Sequence, residues 1–128
     1  MSYLYQLAQI STSSISNIKP IWVLAQWAHE TGGFQSELCI NYNNYAGLTQ
    51  YEQNECPQPD GDMYYMTFFT AKDFAEYFGI YLSYYRSDGI YQCTTLEEYI
   101  ACLKRGGYFG DSYENYLEGV KRWLAIIQ

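Results

Sequence analysis

Apolar and polar positions alternate at helical spacing through most of the 128-residue chain. The clearest run is residues 70–86, TAKDFAEYFGIYLSYYR, which predicts an amphipathic helix facing a core. The run begins with Thr70, and Asp73 follows three residues later, close to a capping box. The apolar residues spaced three or four apart in this run are Phe74, Tyr77, Phe78, Tyr81, Leu82 and Tyr85.

Four further segments are predicted to be helical. Residues 3–10 form a short helix, and PIWVLAQWAHET forms a second from Pro20 to about Thr31. Ser16 or Asn17 is the expected N-cap of this second helix, and Gly32 its left-handed C-terminal residue. A helix over 96–105 follows the cap residue Thr95, and a last helix closes the chain.

The last helix is expected to begin at Asp111 or Ser112. A further short helical turn is predicted after Phe34, before a polar loop rich in asparagine. Between the second and third long helices, Pro57, Pro59 and Asp60-Gly61 form a strong turn signal, with a return strand over 63–69. The chain is therefore predicted to be one domain, residues 1–128. We expect a mainly α (α+β) fold of five to six helices with a small β-hairpin lobe.

The composition excludes several functions. The net charge is −7 without a Lys/Arg cluster, which excludes typical nucleic-acid binding. No apolar run of roughly 18 residues is present, so membrane insertion is not expected. A single His and the lack of C-x-x-C argue against a zinc site, and no cofactor is expected. Buried free thiols are expected, with three disulfide connectivities left open, for the four cysteines Cys39, Cys56, Cys93 and Cys102.

Glu30 is the strongest chemical candidate in the sequence. It follows Trp22 and Gln26 at four-residue spacing, so the three form one row on a helix. The negative end of the helix dipole and burial would both raise its pKa, which suits a general acid. The alternative is a solvated glutamate near a helix end. His29-Glu30 is not a metalloprotease motif, because position 33 is Gly rather than a second His.

Three blocks carry a family resemblance: LAQWAHETGGFQSEL, NYNNYAGLT and GGYFGDSYENYLEGVKRWL. Together they resemble glycoside hydrolase family 73, the bacterial and phage glucosaminidases of flagellar-rod and autolysin type. Those enzymes carry A-Q-x-x-x-E-[ST]-G, N-N-x-x-G-[IL] and G-Y-A-x-D-x-x-Y. The blocks occur in the same order and cover nearly the whole chain.

The resemblance implies a lysozyme-like α-lobe and a small β-lobe with a glycan lying in the cleft between them. It implies a peptidoglycan hydrolase that cleaves the β-1,4 bond after N-acetylglucosamine, with Glu30 as general acid and Tyr108 near the scissile bond. The expected partner is the peptidoglycan glycan strand, bound by a monomer. The positions expected to bind the glycan are Gln26, His29, Asn43, Asn44, Tyr45, Gly47 and Tyr113.

The second catalytic carboxylate stays open. Glu52 and Glu55 are the candidates, while Asp60 is expected in the turn and Asp111 either near the site or as a helix cap. Paired carboxylates stand roughly 5–5.5 Å apart in retaining enzymes and about 6.5–9.5 Å apart in inverting ones. The N-acetyl group of the substrate is an alternative nucleophile.

Two other readings compete with the glucosaminidase. One is another lysozyme-superfamily enzyme: a muramidase, a lytic transglycosylase or a family 19 chitinase-like lysin. The other is a non-catalytic wall-binding or structural module. The sequence MSYLYQLAQISTSS lacks the features of a signal peptide. For action at the bacterial cell wall we therefore expect delivery by a holin, a virion or secretion machinery, or inclusion in a larger protein.

Overall fold

The computed structural model describes residues 2–50 and 64–128 of the chain. A mainly helical fold with a small antiparallel ribbon, β1 (Thr49–Gln50) and β2 (Tyr64–Tyr65), confirms the predicted class. None of the helices in the described segments has the length and apolar character needed to cross a membrane. The six described α-helices are α1 (Ser2–Thr12), α2 (Pro20–Thr31), α3 (Glu37–Tyr42), α4 (Ala71–Ser83), α5 (Leu96–Arg105) and α6 (Tyr113–Ile127).

Side-chain caps begin four of these helices. The hydroxyls of Ser36, Thr70, Thr95 and Ser112 each accept a hydrogen bond from the backbone N–H three residues further on. Each cap satisfies one of the N–H groups that a helix start leaves without a partner. The caps predicted at Thr70 and Thr95 are confirmed, and the N-cap of α6 is Ser112 rather than Asp111.

The predicted N-cap of α2 is wrong. Neither Ser16 nor Asn17 caps this helix; the N-cap residue is Lys19, which makes no capping hydrogen bond with its side chain. Pro20 occupies the first turn as expected, where its missing N–H costs nothing. The Asn17 amide instead donates to the Ile90 carbonyl at 2.8 Å, so it ties the segment before α2 to the far end of the domain.

Helix α2 lies between α1 and α6, while α1 also packs against α4 and α5 against α6. Trp27 of α2 is fully buried and forms the centre of the aromatic core. Its ring meets Phe74 and Phe78 of α4 edge-on, with ring centroids 5.2 and 5.5 Å apart. It meets Tyr45 in the same way at 6.0 Å. These contacts fix α2 against α4 and against the loop that follows α3.

The β-ribbon pairs Thr49 with Tyr65 and Gln50 with Tyr64. The return strand is shorter than the predicted 63–69. The Met66 N–H still donates to the Leu48 carbonyl at 2.8 Å, next to the paired residues, but the Phe68 N–H donates to the Tyr42 carbonyl at the end of α3, so the chain has left the ribbon by Phe68. The turn predicted around residues 57–61 lies outside the described residues, as do Glu52, Glu55 and Cys56. The other three cysteines, Cys39, Cys93 and Cys102, are buried free thiols.

Gly79 of α4 provides a test of the helix packing. A Cβ at this position would lie 2.6 Å from the backbone oxygen of Ser11 in α1. In an exposed helix, Gly→Ala stabilises by up to about 1 kcal/mol. Here we expect Gly79→Ala to lower the free energy of unfolding by about 1–3 kcal/mol, because overpacking forces the two backbones apart. Urea denaturation measures this change.

Gly110→Ala is the matched control, because a Cβ there meets nothing within 4 Å. Its unfolding free energy should stay within about 0.5 kcal/mol of the wild type. Equal stability of Gly79→Ala and Gly110→Ala would contradict the close approach of α1 and α4.

Candidate active site

The end of α2 places Glu30 at the edge of the α-lobe. Gly32, Gly33 and Phe34 follow with positive φ angles of 60°, 80° and 68°, so the chain leaves the helix abruptly. The Thr31 hydroxyl stabilises this turn by accepting a hydrogen bond from the Phe34 N–H at 2.7 Å. A left-handed conformation is unusual for a residue with a side chain, and it sets the direction of the loop. Glu30 is thereby left at the last turn with its side chain at the surface.

Glu30 opens into a groove of about 340 Å³ between the end of α2 and the β-ribbon. Gly47 lies on the opposite wall, where an added Cβ would stand 3.9 Å from Glu30 Oε2. Gly47 also has φ +64°, which favours glycine at this position. The groove therefore has the Glu30 carboxyl on the α-lobe side, and the backbone at Gly47 forms the opposite wall. Its lining residues are Glu30, Thr31, Ser36, Leu38, Asn44, Gly47 and Tyr65.

Burial raises the pKa of Glu30 to about 7, and a contact with the Tyr116 hydroxyl partly opposes this shift. The side chain still keeps solvent exposure, because the groove is open in front of it while protein packs behind it. Desolvation disfavours the carboxylate, and so do the carbonyl dipoles at the C-terminal end of α2. Glu30 is thus able to carry a proton near neutral pH, where an ordinary glutamate is ionised.

The two asparagines of the NYNNYAGL block shape the wall of the groove. Asn44 is fully buried; its Nδ2 donates to Leu48 and Met66 carbonyls, and its Oδ1 accepts from backbone N–H groups at Ala46 and Leu48. Asn43 adopts φ 53° at the end of α3 and donates to the Phe68 carbonyl. Both side chains therefore hold the loop that carries Gly47, and Asn44 also lines the groove.

Tyr108 connects the loop before α6 to the same wall. Its hydroxyl donates to the Ala46 carbonyl at 3.2 Å. Burial is the main cause that holds the pKa of Tyr108 well above its usual range, and the charges of Tyr116 and Glu30 act in the same direction. Tyr108 is therefore a neutral hydroxyl near Glu30, with its proton engaged by the backbone.

The structure places other predicted site residues in the core rather than on the groove. Gln26 is fully buried and accepts a hydrogen bond from the Tyr99 hydroxyl, and Trp22 stacks on the same Tyr99 ring. Tyr45 is only 8% exposed and packs against Trp27. The row of Trp22, Gln26 and Glu30 on α2 therefore reaches the groove only at Glu30, and Gln26 is not placed to bind a glycan directly. Trp22 and Gln26 are buried because α2 packs against α1 on one side and α6 on the other, so that only its last turn reaches the groove.

His29 and Tyr113 also lie away from the groove. His29 faces α6, where its ring meets the Tyr116 ring edge-on at 4.9 Å and Gly119 leaves room for it. Burial, followed by the charge of Arg122, lowers the pKa of His29, so it is neutral at pH 7. The Tyr113 hydroxyl donates to the Glu97 carbonyl on α5.

Asp111 has a local structural role beside the start of α6, although Ser112 and not Asp111 is the cap of this helix. Its carboxylate accepts from the Ser112 N–H at 2.8 Å and from the Asn115 amide, beside the start of α6. Lys104 donates to the Asp111 carbonyl at 2.7 Å. These contacts fix the loop that carries Tyr108.

Glu52 and Glu55, the candidates for a second carboxylate, lie outside the described residues, so their distance from Glu30 stays undetermined. Across residues 2–50 and 64–128, no three His, Cys, Asp or Glu side chains gather in an arrangement that could hold a metal ion.

Two residues near Glu30 had no signal in the sequence. Tyr65 enters the groove from β2, and Tyr116 approaches Glu30 from α6. Both belong to a set of 16 tyrosines, and neither lies in a position that a short motif marks. Only the packing of α6 on α2 and the pairing of β1 with β2 bring them to the site.

Comparison with known proteins identifies the family of the chain. The chain matches the glucosaminidase family model, described as mannosyl-glycoprotein endo-beta-N-acetylglucosaminidase, over residues 7–126. Searches of curated proteins and of solved structures gave no match. The match spans α2, the groove and α6, and it implies glycoside hydrolase activity on a glycan substrate. The chain therefore belongs to the glucosaminidase family, glycoside hydrolase family 73.

Proposed function

We propose that the protein hydrolyses peptidoglycan by cleaving the β-1,4 bond after N-acetylglucosamine, with Glu30 as the general acid. The observation that carries this proposal is the placement of Glu30. It stands at the open end of α2, faces Gly47 across a groove, and has a pKa of about 7. Within a glucosaminidase-family chain, a carboxyl that is protonated near neutral pH suits proton donation to a glycosidic oxygen.

In this mechanism the protonated Glu30 carboxyl donates its proton to the oxygen that links two sugars. The C1–O bond breaks, its electron pair stays on the departing oxygen, and positive charge develops at C1. Water supplies the new hydroxyl at C1, and a base takes the proton of that water. The base is either Glu52 or Glu55. Alternatively, the N-acetyl oxygen of the substrate attacks C1 first and is then displaced by water.

The groove offers further support for a glycan. Ser36 and Tyr65 present polar groups beside Leu38, a mixture that suits the hydroxyl and C–H faces of a sugar ring. We place the reaction at the bacterial cell wall, where this substrate is found.

Glu30→Gln tests the role of the acid. The amide keeps the shape of the side chain but has no proton to donate, so cleavage should fall about 10²–10⁴-fold. Mass spectrometry of purified peptidoglycan digested with each protein measures this, and binding of the variant to insoluble peptidoglycan should be retained. Glu118→Gln removes the same charge from an exposed position on α6 and should leave cleavage unchanged.

The sugar at the reducing end of each product shows which glycosidic bond the enzyme cleaves. Fragments with reducing N-acetylglucosamine support the proposal, whereas reducing N-acetylmuramic acid ends indicate a muramidase. Anhydro ends indicate a lytic transglycosylase. A folded wild type that binds peptidoglycan but releases no fragments would identify a wall-binding module and overturn the proposal.

The pH dependence follows from the raised pKa of Glu30. A general acid works in its protonated form, so kcat/KM should decline as the pH rises through about 7, tenfold for each further pH unit. His29 is already neutral there and does not supply this ionisation. Initial rates on a soluble glycan fragment between pH 5 and pH 9 would measure the profile. An activity that rises through this range would show that Glu30 acts as a base.

A further inference from the structure

Helix α6 presents one tyrosine to Glu30 from the protein interior. Tyr116 is 2% exposed, and two neighbours fix its ring. Phe109 stacks on it with ring centroids 3.9 Å apart and an interplanar angle of 7°, while His29 meets it edge-on at 4.9 Å. A ring held on two sides directs its hydroxyl to one place, and that place lies beside the Glu30 carboxyl.

Two buried polar atoms at this place have no partner within hydrogen-bonding geometry among the described residues. They are the Tyr116 hydroxyl and the Gln26 Nε2. Buried polar groups in native proteins are almost always satisfied, so two such atoms together call for an explanation. Gln26 lies one helical turn before Glu30, and its Oε1 accepts from the fully buried Tyr99 hydroxyl. That bond orients the Gln26 amide and turns its N–H groups away from Tyr99.

We infer that Tyr116 is a positioning residue whose hydroxyl donates to the Glu30 carboxylate during the reaction, while Gln26 donates to the Tyr116 oxygen. The donors and acceptors then run in one direction, from Tyr99 through Gln26 and Tyr116 to Glu30. In the free protein the last two contacts are looser than hydrogen bonds, and such contacts commonly tighten when substrate binds. This inference rests on the proposed role of Glu30 as general acid.

The arrangement favours the charged form of Glu30. When Glu30 gives its proton to the glycosidic oxygen, an electron pair stays on its carboxylate, and a hydrogen bond from Tyr116 stabilises that charge. The same contact lowers the pKa of Glu30 against the larger opposing effect of burial. Tyr116 itself stays neutral, because burial holds its own pKa well above the usual range.

Other titratable groups near Glu30 have different roles. Tyr108, from the loop before α6, uses its proton on the Ala46 carbonyl. His29 lies on α2 next to Glu30, but its ring faces Gly119 of α6. Tyr65 lies across the groove on β2. Among the described residues, Tyr116 is the group whose hydroxyl contact lowers the pKa of Glu30.

Carboxyl titration by NMR tests the contact without any need for activity. The protein is labelled with ¹³C-glutamate, and the Glu30 signal is identified by its loss in Glu30→Gln. In Tyr116→Phe the pKa of Glu30 should rise by roughly 0.5–1 unit, because the hydroxyl that stabilises the charged form is removed. Tyr85→Phe is the matched control: it removes a buried hydroxyl that pairs with Tyr81 at 2.9 Å, and the Glu30 titration should not move.

The pH–rate profile adds a readout that simple packing would not move. In Tyr116→Phe, kcat should fall about tenfold while its alkaline limb moves to higher pH, in step with the NMR titration. Tyr99→Phe keeps Tyr116 in place but releases the Gln26 amide, so a smaller upward shift is expected. Tyr99→Phe also decides the question if Tyr116→Phe does not fold.

The contrary outcomes are distinct. A folded Tyr116→Phe with an unchanged or lowered pKa of Glu30 would overturn the inference and leave Tyr116 as a packing residue. The absence of a shift in Tyr99→Phe would exclude the role of Gln26. If the wild type does not cleave peptidoglycan, the proposed function fails, but the NMR titration still decides whether Tyr116 acts on Glu30.

Discussion

The packing of α2 between α1 and α6 is the constraint on which the site depends. Trp27 fixes α2 from one side by edge contacts with the aromatic rings of α4. On the other side, Gly119 of α6 allows His29 to lie directly against the helix backbone. Because α2 cannot rotate or slide between these contacts, the position of its last turn is fixed. The fixed position of this last turn determines which groups surround Glu30.

The abrupt end of α2 matters as much as its packing. The left-handed residues 32–34 end the helix and turn the chain away from its axis, next to the groove that Glu30 and Thr31 line. Trp123 of α6 packs so closely on Gly33 that a Cβ there would clash with its ring. The turn is therefore held by a tertiary contact as well as by the freedom of glycine. The opposite wall is built in a similar way, since the buried Asn44 holds the loop of Gly47 by four hydrogen bonds.

Local features of this fold could be predicted from the sequence, because they depend on neighbouring residues. The caps at Thr70 and Thr95 and the left-handed Gly32 follow from side-chain and backbone chemistry within one turn. The burial of Gln26 could not be predicted in the same way. Spacing shows that Gln26 and Glu30 share a face of α2, but that face is covered by α5 and α6 along most of its length. The point along α2 at which this packing ends depends on the tertiary structure and not on the local sequence.

The same reasoning explains why Glu30 could be found and Tyr116 could not. Glu30 is marked by its place at a helix end within a block typical of the family, whereas Tyr116 lies 86 positions away on α6 and is one of 16 tyrosines. Their meeting has a chemical consequence that neither residue has alone. Burial by itself would keep Glu30 protonated, because it disfavours the carboxylate that forms when the proton is given to the substrate. A fully solvated glutamate would be ionised at neutral pH. The opposing effects of burial and of the Tyr116 hydroxyl leave its pKa at about 7, where a general acid can both hold a proton and release it.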